Sequence, residues 1–574
     1  MKHAYIMLLS DGRAGYDKSL DERVRAMGMA CRLESAVARV YVSPDTPIIR
    51  LHAHAMIIGQ VFNSDGLQLT SAPATLSGPA ERAHEHLLTK MWGQYLAIHA
   101  SAVQVTLLRD PSGAVPCVYS IVGRCGFVSS DISLAVELGI YKREIDWQTI
   151  AHILEFPYFK TSRTGLANIS ELLPGIELRI RAQRASTHLA WSPWHFTERP
   201  ARHTDTTEAA YEVRQAVTMA VKALAKLQHR FVVELSGGLD SSIVSTCLRE
   251  FADSATFCTL VMTVAGTDER PYARLMTDML GKPLSSIDID FDKIGFEYRE
   301  PPSSTRPAIG ILQHAVNEAW EAAGERYKVD SFFSGGGGDS IFCYLSTAAP
   351  AADAFLERGV AKGIAAVQDL SSLHQCTIWQ AAVLTYKKIR QRRPSTWKRD
   401  TTLLYGSSLS GLSGDHPWMN APPHALPGDR EKIRQLISTQ LFRPATPRGA
   451  GRVIHFPLLS QPVMEACLKV PSWMWISHGR NRAIARDAFA DQLPTGIIER
   501  RSKGSYTGVL AGIYARHRHA MQRFLADGEL HSNGLIDRSK LAQIFEREQA
   551  PRDTTFIRIL DICATENWVR NQAR

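Results

Sequence analysis

The sequence predicts an α/β protein with two unlike parts, and three observations support this. From Tyr5 to about Leu138, short apolar alternations broken by Gly, Pro, Asp and Ser are typical of antiparallel strands, with helices expected around 17–28 and 80–90. Beyond residue 230, apolar strands alternate with helical stretches, which favours a parallel sheet with helices on both faces. A polar, proline-broken stretch near 196–208 separates the two parts. We therefore expect domains at 1–200 and 205–574.

Composition limits the class of protein. Of the 574 residues, 45% are hydrophobic and 21% charged, as in soluble globular proteins. No apolar run approaches the roughly 20 residues needed to span a bilayer, and Ala4–Leu9 is too short for a signal core. Nine scattered cysteines without a Cys-x-x-Cys pair indicate reduced thiols, a cytoplasmic location and no structural zinc.

The net charge of +9 does not distinguish ATP from a nucleic acid as a partner. The densest basic run is Lys387-Lys-Ile-Arg-Gln-Arg-Arg393. Such runs are usually solvated helix faces, and an RNA contact is the alternative. Because no RNA-binding module is recognisable, we expect no nucleic-acid partner.

A glycine turn between an apolar strand (Val232–Leu235) and a helix predicts a binding site for polyphosphate. Its two glycines, Gly237 and Gly238, allow a sharp turn and a close approach to a ligand. The helix that follows presents unpaired N–H groups and the positive end of its dipole. Asp240 adds the negative charge that a magnesium ion requires. The spacing differs from that of the common P-loop, and an ordinary turn is the alternative. Further donors are the hydroxyls of Ser236, Ser241 and Ser242.

A second glycine loop, Ser334-Gly-Gly-Gly-Gly-Asp-Ser340, follows the strand Val329–Phe333. Ligands bind open parallel sheets at the carboxyl ends of the strands. Both loops lie at such ends, so we expect them to form one site. Four glycines in a row could alternatively be only a flexible turn.

The two loops together resemble known nucleotide sites. The first resembles the pyrophosphate loop of ATP pyrophosphatases, which split ATP between its α and β phosphates. The second is similar to a loop of the asparagine synthetase family with the pattern Ser-Gly-x-Gly-x-Asp. The resemblance implies ATP and Mg²⁺ as cofactors, with Asp240 and Asp339 as the metal-binding pair. It also implies that Leu235, Thr259 and Gly335 surround the adenine.

The C-terminal segment Arg500–Tyr506 resembles the end of that family's catalytic domain. The resemblance assigns Lys503 to the α-phosphate, where it would stabilise charge as an adenylate forms and breaks. By itself, a lysine in a Ser-Lys-Gly loop is usually solvated.

The N-terminal part resembles the glutaminase-type (Ntn-type) domain of the same family. That domain uses a cysteine directly behind Met1 as its nucleophile, whereas this chain has Lys2 and His3, and its first cysteine is Cys31. We therefore expect an α+β sandwich without the catalytic cysteine, which acts as a scaffold or as a surface for a partner or substrate. The resemblance depends on six motifs in order: Trp92–Ala97, Arg109–Gly113, Pro116–Tyr119, Phe127–Asp131, Leu172–Ile176 and Trp191–Trp194.

Within the family, the chain looks most like the macrolactam synthetases of lasso-peptide biosynthesis. β-Lactam synthetases carry a tyrosine base in the second loop, where this chain has Gly336. The lasso enzymes adenylate an Asp or Glu side chain of a peptide and close it with that peptide's N-terminal amine, releasing AMP and pyrophosphate. The motifs that resemble this group are Pro457–Pro462, Trp473 with Trp475, Arg486–Phe489 and Arg501–Tyr506.

This resemblance implies a precursor peptide as substrate, with a leader peptidase and a leader-binding protein as possible partners. A β-lactam-synthetase-like ligase or a glutamine-independent asparagine-synthetase-like ligase acting on a small molecule is the alternative. A non-catalytic scaffold is a second alternative. A peptide α-amine has a pKa near about 7.7–8.0, so positioning could replace a strong base. The Gly-, Ser- and Pro-rich stretch 407–429 is the expected cover that keeps water from the adenylate.

Overall fold

The computed structural model describes residues 4–10, 18–122, 126–262, 264, 266–391, 397–406, 416–443, 452–501, 507–547 and 553–572. Within these ranges the N-terminal part contains two antiparallel sheets of six strands each. The strands are β1 (Tyr5–Leu9), β2 (Ala30–Glu34), β3 (Ala38–Val42), β4 (Ile48–His52), β5 (Ala55–Asn63), β6 (Met91–Ala100), β7 (Gln104–Arg109), β8 (Val118–Ser120), β9 (Phe127–Ser129), β10 (Ser170–Glu171), β11 (Ile176–Arg181) and β12 (Arg184–Leu189). The strand orders are β10-β8-β9-β1-β3-β2 and β12-β11-β7-β6-β5-β4.

The two sheets pack face to face, and helices cover their outer faces. In β1, Met7 joins the core between the sheets, while Ile6 and Leu8 join the outer cluster beneath α1, as the period of two along a strand requires. On the other sheet, Leu87 of α2 packs on the outward residues of β5 and β6. The expected helices at 17–28 and 80–90 are thus confirmed. The helices of this part are α1 (Lys18–Ala26), α2 (Ala80–Lys90), α3 (Ile132–Glu137) and α4 (Trp147–Glu155).

The rest of the described chain is organised around a parallel sheet. Its strands are β13 (Phe231–Glu234), β14 (Ala255–Met262), β15 (Leu284–Ile289), β16 (Ser331–Ser334) and β17 (Val453–His455), in the order β15-β14-β13-β16-β17. All four neighbouring pairs are parallel, which confirms the expected sheet type. A short antiparallel pair follows, β18 (Ile476–Ser477) with β19 (Arg480–Asn481).

Helices cover both faces of this parallel sheet. Along β13, Val233 contributes to the core on the α5 and α6 side, whereas Val232 packs toward Trp320 of α8. The helices are α5 (Thr206–Ala225), α6 (Leu239–Cys247), α7 (Arg270–Leu280), α8 (Leu312–Arg326), α9 (Gly338–Ile341), α10 (Ala349–Arg358), α11 (Val360–His374), α12 (Ile378–Ile389), α13 (Pro427–Thr439), α14 (Gln461–Lys469), α15 (Ala483–Ala488), α16 (Thr495–Ile498), α17 (Thr507–Ala526), α18 (Glu529–Ser532), α19 (Arg538–Glu546) and α20 (Thr555–Gln572). Among the described helices, none combines the length and the apolar character needed to cross a bilayer.

The last helix joins the two parts of the chain. α20 is buried along most of its length and packs in one cluster with α4 and α17. Arg558 Nη2 donates a hydrogen bond to Leu154 O of α4 at 2.6 Å, and Trp568 Nε1 donates to Ser304 Oγ at 2.9 Å. The N-terminal sandwich and the C-terminal helices therefore share a core.

The stretch 407–429, which is expected to cover the adenylate, can be compared with the structure only from residue 416 onward. Residues 407–415 lie outside the described ranges. Beyond them, Trp418 is almost completely buried and its carbonyl accepts a hydrogen bond from Trp194 Nε1 at 2.8 Å. The stretch also ends earlier than expected, because α13 begins at Pro427. His416 and Trp418 are thus packed in the core, whereas Asn420, Pro423 and His424 are exposed.

Candidate active site

A cavity of about 590 Å³ opens at the carboxyl ends of β13, β14 and β16. Gly237 and Ser242 lie behind its wall: Gly237 packs beneath Tyr272, and Ser242 is completely buried. Lys503 lies outside the described residues. The other predicted residues all line the cavity, namely Leu235, Ser236, Gly238, Asp240, Ser241, Thr259, Gly335 and Asp339.

The first loop has the geometry that its glycines predict. Gly237 has a φ of +69°, and a Cβ atom there would lie 2.5 Å from the Ala273 nitrogen, so both conformation and space require glycine. Gly238 caps α6 and donates from its backbone nitrogen to Ser236 Oγ at 3.3 Å. Asp240 therefore lies in the first turn of the helix. The backbone N–H groups beside it can donate hydrogen bonds to phosphate oxygens.

The second loop packs tightly against the first. A Cβ atom at Gly335 would lie 2.6 Å from the Ser241 nitrogen, and one at Gly338 would lie 2.4 Å from Asp240 Cγ. Gly337 has a φ of +88° and leaves no room beside Leu459. The glycines named here are thus each required by a close neighbour.

The two predicted metal-binding aspartates converge on one point, which Arg482 occupies. Arg482 Nη1 donates to Asp240 Oδ1 at 3.1 Å and to Asp339 Oδ1 at 3.1 Å. The two loops thus bring their carboxylates to one nitrogen atom, which is the arrangement that a shared cation requires.

Arg482 is a site residue for which the sequence analysis predicted no role. It follows the β18–β19 hairpin directly, has a φ of 52° and caps α15. Its side chain is held over the ring of Tyr344, 5.4 Å from the centroid. A sequence signal existed in the turn Gly479-Arg-Asn-Arg482 ahead of a helix, but it does not reveal which loop the arginine reaches.

The aspartate pair fits a magnesium ion that arrives with a phosphate ligand. Mg²⁺ is commonly held by one or two carboxylates together with waters and substrate phosphates. The oxygens of Asp240 and Asp339 meet at the same nitrogen, so they could meet at a cation. Among the described residues no cluster of three or more His, Cys, Asp or Glu side chains could hold a resident metal. The pair would therefore need oxygens from the ligand to complete the coordination.

Two further arginines fix the shape of the phosphate end. Arg500 donates to Gly237 O at 3.0 Å and to Glu269 Oε1 at 2.8 Å, and lies 3.8 Å from the ring centroid of Tyr272. Arg486 donates to Arg500 O at 3.1 Å; burial and then the charge of Arg482 lower its pKa to about 10. Arg500 thus ties the first loop to the segment that continues toward Lys503.

The opposite end of the cavity is apolar. Its wall includes Leu260, Leu312, Val316 and Trp320. Cys258 also contributes to the wall, and burial raises the pKa of its thiol to about 12, so it is not a nucleophile at neutral pH. The cavity can therefore hold a charged polyphosphate at one end and an uncharged group at the other.

Residues 212–570 match the family model described as asparagine synthase. The chain belongs to the asparagine synthase family. The matched range includes both glycine loops, Arg482 and Lys503, and it excludes the two antiparallel sheets. The family assignment thus depends on the part of the chain that forms the cavity.

One curated protein resembles this chain at low sequence identity. The chain is 23% identical over 432 residues to asparagine synthetase [glutamine-hydrolyzing] 1 of Bacillus subtilis (strain 168), an alignment that covers 69% of this chain and 64% of that protein. The chain thus spans less than two thirds of that relative's length.

Two solved structures also match. One is described as the allosteric regulatory enzyme of purine biosynthesis, with a TM-score of 0.21, 10% identity and coverage of 58% of this chain and 83% of that chain. The other is glutamine phosphoribosylpyrophosphate amidotransferase from B. subtilis with ADP and GMP, with a TM-score of 0.20, 10% identity and coverage of 58% and 84%. At such TM-scores neither alignment carries an argument about this chain.

Proposed function

We propose that this protein is an ATP-dependent, AMP-forming ligase that makes an amide bond. The observation that carries the proposal is the convergence of Asp240 and Asp339, one from each glycine loop, at a single point of the cavity. Membership of the asparagine synthase family supports the same reaction class. A carboxylate of the substrate attacks the α-phosphate, pyrophosphate leaves, and an amine captures the acyl-adenylate with release of AMP and a proton.

The residues at the phosphate end of the cavity would have separate roles. Magnesium would neutralise phosphate charge, held by Asp240 and Asp339. The hydroxyls of Ser236 and Ser241 and the N–H groups at the start of α6 would bind phosphate oxygens. Arg482 would move from the carboxylates to those oxygens when the nucleotide binds, and Lys503 would stabilise the charge at the α-phosphate.

We further propose that the amine belongs to the substrate itself, so that the product is a macrolactam of the lasso-peptide kind. Gly336 packs against the ring of Phe456 and offers no phenol base in the second loop. A peptide α-amine, with a pKa near about 7.7–8.0, is partly neutral at cytoplasmic pH and needs mainly to be held in place. The apolar wall of the cavity is compatible with peptide side chains.

The remaining parts of the molecule and its surroundings complete this proposal. The antiparallel sandwich would be a glutaminase-like (Ntn-type) domain without a catalytic cysteine, acting as a scaffold. Among the described residues Cys31 is only half-exposed, and burial raises the pKa of its thiol, in keeping with a packing role. The partners would be a precursor peptide and, in the cytoplasm, a leader peptidase and a leader-binding protein.

Pyrophosphate release tests both the ligase proposal and the macrolactam proposal. We expect release with ATP, magnesium and a peptide that has a free N-terminus and an internal Asp or Glu, together with a product lighter by one water. Acetylating that N-terminus should abolish the lighter product, and changing the acidic residue to its amide should abolish release. Release only with free aspartate and ammonia would instead support a small-molecule ligase, and no release with any carboxylate would contradict the ligase proposal.

Lys503→Ala provides an independent test of the α-phosphate role. We expect its peptide-dependent release rate to fall by at least about 10²-fold, as happens when an oxyanion donor is removed. Lys293→Ala is the matched control, because the Lys293 side chain is 84% exposed. Near-normal turnover of the Lys503 variant would remove this lysine from the mechanism.

A further inference from the structure

Three consecutive helices, α10, α11 and α12, carry an exposed apolar face. The helices contact one another, and a capping box between Thr377 and Gln380 fixes the start of α12. Large apolar residues are normally exposed singly on a protein surface. Here eight lie on these helices, and we call them the three-helix face: Leu356, Val360, Ile364, Ile378, Trp379, Val383, Leu384 and Tyr386.

The side chains of α12 are distributed opposite to the usual amphipathic pattern. Ala381 and Thr385, four residues apart, face the protein core and are buried. Trp379 and Val383, also four residues apart, face outward, and Trp379 is 80% exposed. A surface helix normally places its large apolar side chains in the core. The large side chains of α12 therefore do little for the fold of this chain.

α11 repeats this arrangement beside α12. Gly363 and Val367 face inward and are buried, whereas Val360 and Ile364 face outward, with Val360 68% exposed. A Cβ atom at Gly363 would lie 2.3 Å from Phe355 Cγ, so the inward side is already closely packed. The outward residues of α11 and α12 thus lie on neighbouring helices, and none of the eight side chains lines the cavity described above.

The exposed charges at the end of α12 are positive. Lys387 and Arg390 are exposed at the end of α12. The acidic residues of the three helices point elsewhere: Asp353 is buried, Glu357 accepts a hydrogen bond from Trp473 Nε1, and Asp369 accepts one from Gly479 N. Two copies of this face would repel each other, so a second copy is a poor occupant. An anionic partner is complementary.

We propose that the three-helix face docks this protein on an anionic membrane surface. Exposed Trp and Tyr with neighbouring Lys and Arg are the composition of elements that lie in the interface of a bilayer. Trp379 and Val383 would enter the boundary between headgroups and acyl chains, while Lys387 and Arg390 would meet lipid phosphates. The breadth of the face suits a lipid surface better than it suits a single peptide helix, which needs a groove.

Sedimentation with vesicles tests this proposal on the full-length protein. We expect binding to vesicles of equal parts phosphatidylglycerol and phosphatidylcholine, weaker binding at high salt, and little binding to phosphatidylcholine alone. The pair Trp379→Ser and Val383→Ser should weaken binding by at least about tenfold, since most of the inserted apolar area is lost. The double change Lys387→Gln with Arg390→Gln should weaken only the salt-sensitive part of vesicle binding.

Matched controls keep the result specific to this face. Tyr211→Ser and Val103→Ser remove side chains that are 65% and 59% exposed elsewhere and should leave vesicle binding unchanged. If the double serine variant is poorly folded, Trp379→Phe provides a second readout: the blue shift of tryptophan fluorescence on vesicle binding should largely disappear. Absence of binding to anionic vesicles, equal loss in the control variants, or binding only to a protein partner would overturn the proposal.

Discussion

The two parts of this molecule hold carboxylates in ion clusters that differ in their access to solvent. In the N-terminal sandwich, Glu171 of β10 accepts hydrogen bonds from Lys160 Nζ and Arg109 Nη1. All three side chains are nearly or completely buried. Burial by itself raises the pKa of the Glu171 carboxyl, but the two cations outweigh it and hold this pKa at about 2. One anion with two cations, closed to solvent, is a structural arrangement.

The cluster at the cavity is open to solvent. Asp240 and Asp339 share Arg482, and the Asp339 side chain remains 38% exposed. The difference shows that access to solvent, rather than the presence of an ion pair as such, distinguishes the candidate site from the scaffold. The following predictions test that distinction, starting with the largest expected effect.

Removing one anion from the open cluster should abolish chemistry without unfolding the protein. For Asp240→Asn and for Asp339→Asn we expect pyrophosphate release to fall by about 10³-fold. The magnesium ion that would neutralise the phosphate charge loses one of its two carboxylate ligands in each variant. Melting temperatures should change little, since the side chains are partly exposed. Asp292→Asn, at a side chain that is 78% exposed, is the control. Normal rates in both aspartate variants would refute the proposed site.

Removing the anion from the closed cluster should do the reverse. Glu171→Gln leaves Lys160 and Arg109 buried without their counter-ion, and we expect a loss of about 3–5 kcal/mol in the free energy of unfolding. The rate per folded molecule should stay near normal, as measured by urea unfolding and turnover in parallel. Asp491→Asn, which breaks the exposed pair with Arg214, should cost less than about 1 kcal/mol. Equal losses of unfolding free energy in Glu171→Gln and Asp491→Asn would show that the closed cluster is not structural.

A single methyl group at the contact of the two loops tests the geometry of the open cluster. Gly338→Ala places a Cβ atom 2.4 Å from Asp240 Cγ, which must displace the carboxylate. We expect turnover to fall by about 10²-fold, as for a misplacement of about 1 Å. Gly78→Ala, which has open space, should behave as wild type. If Gly338→Ala retains full turnover, the position of Asp240 is not critical.

A third carboxylate, Glu300, is buried beside neutral side chains. Burial raises its pKa to about 7, against the lowering effect of Ser304, Tyr298 and Asn567. The folded state therefore binds this proton more tightly than the unfolded state, and stability should fall by about 2–3 kcal/mol as pH rises from about 4.5 to about 7.

Urea unfolding of Glu300→Gln across that range isolates the contribution of this carboxyl. The variant should be more stable than wild type at about pH 8 and should lose the pH dependence that this group causes. Glu546→Gln, at an exposed position, should retain the wild-type dependence. The same slope in wild type and in Glu300→Gln would show that the proton is not held there.

Local patterns predicted the loops, whereas long-range contacts supplied what was missed. Adjacent glycines after an apolar strand are visible in sequence, so both loops could be predicted. The pairing of Asp240 with Asp339 came from the family resemblance. Arg482 lies 242 residues from Asp240, and no spacing rule links them. β17 has three residues, too few for a period of two to be recognised.

The burial of Trp418 could not be predicted from the sequence for a different reason. The surrounding stretch has the Gly, Pro and Ser content of a loop, but an irregular segment can be buried when its polar atoms find partners. His416 pairs with Gln440 across the fold, and such pairs are not visible in sequence. The domain boundary near 200, the macrolactam reaction and the role of Lys503 stay predictions.

The position of α20 limits how this chain could be divided. Its residues complete the core around α4 and support the loop that contains Glu300. A fragment ending at the parallel sheet would leave the apolar side of α4 in water, and an isolated sandwich would lose the same cover. The two parts should therefore unfold in one transition, and exchanging either one with the matching part of a distant relative should yield insoluble chimaeras unless α20 is exchanged with the sandwich it covers.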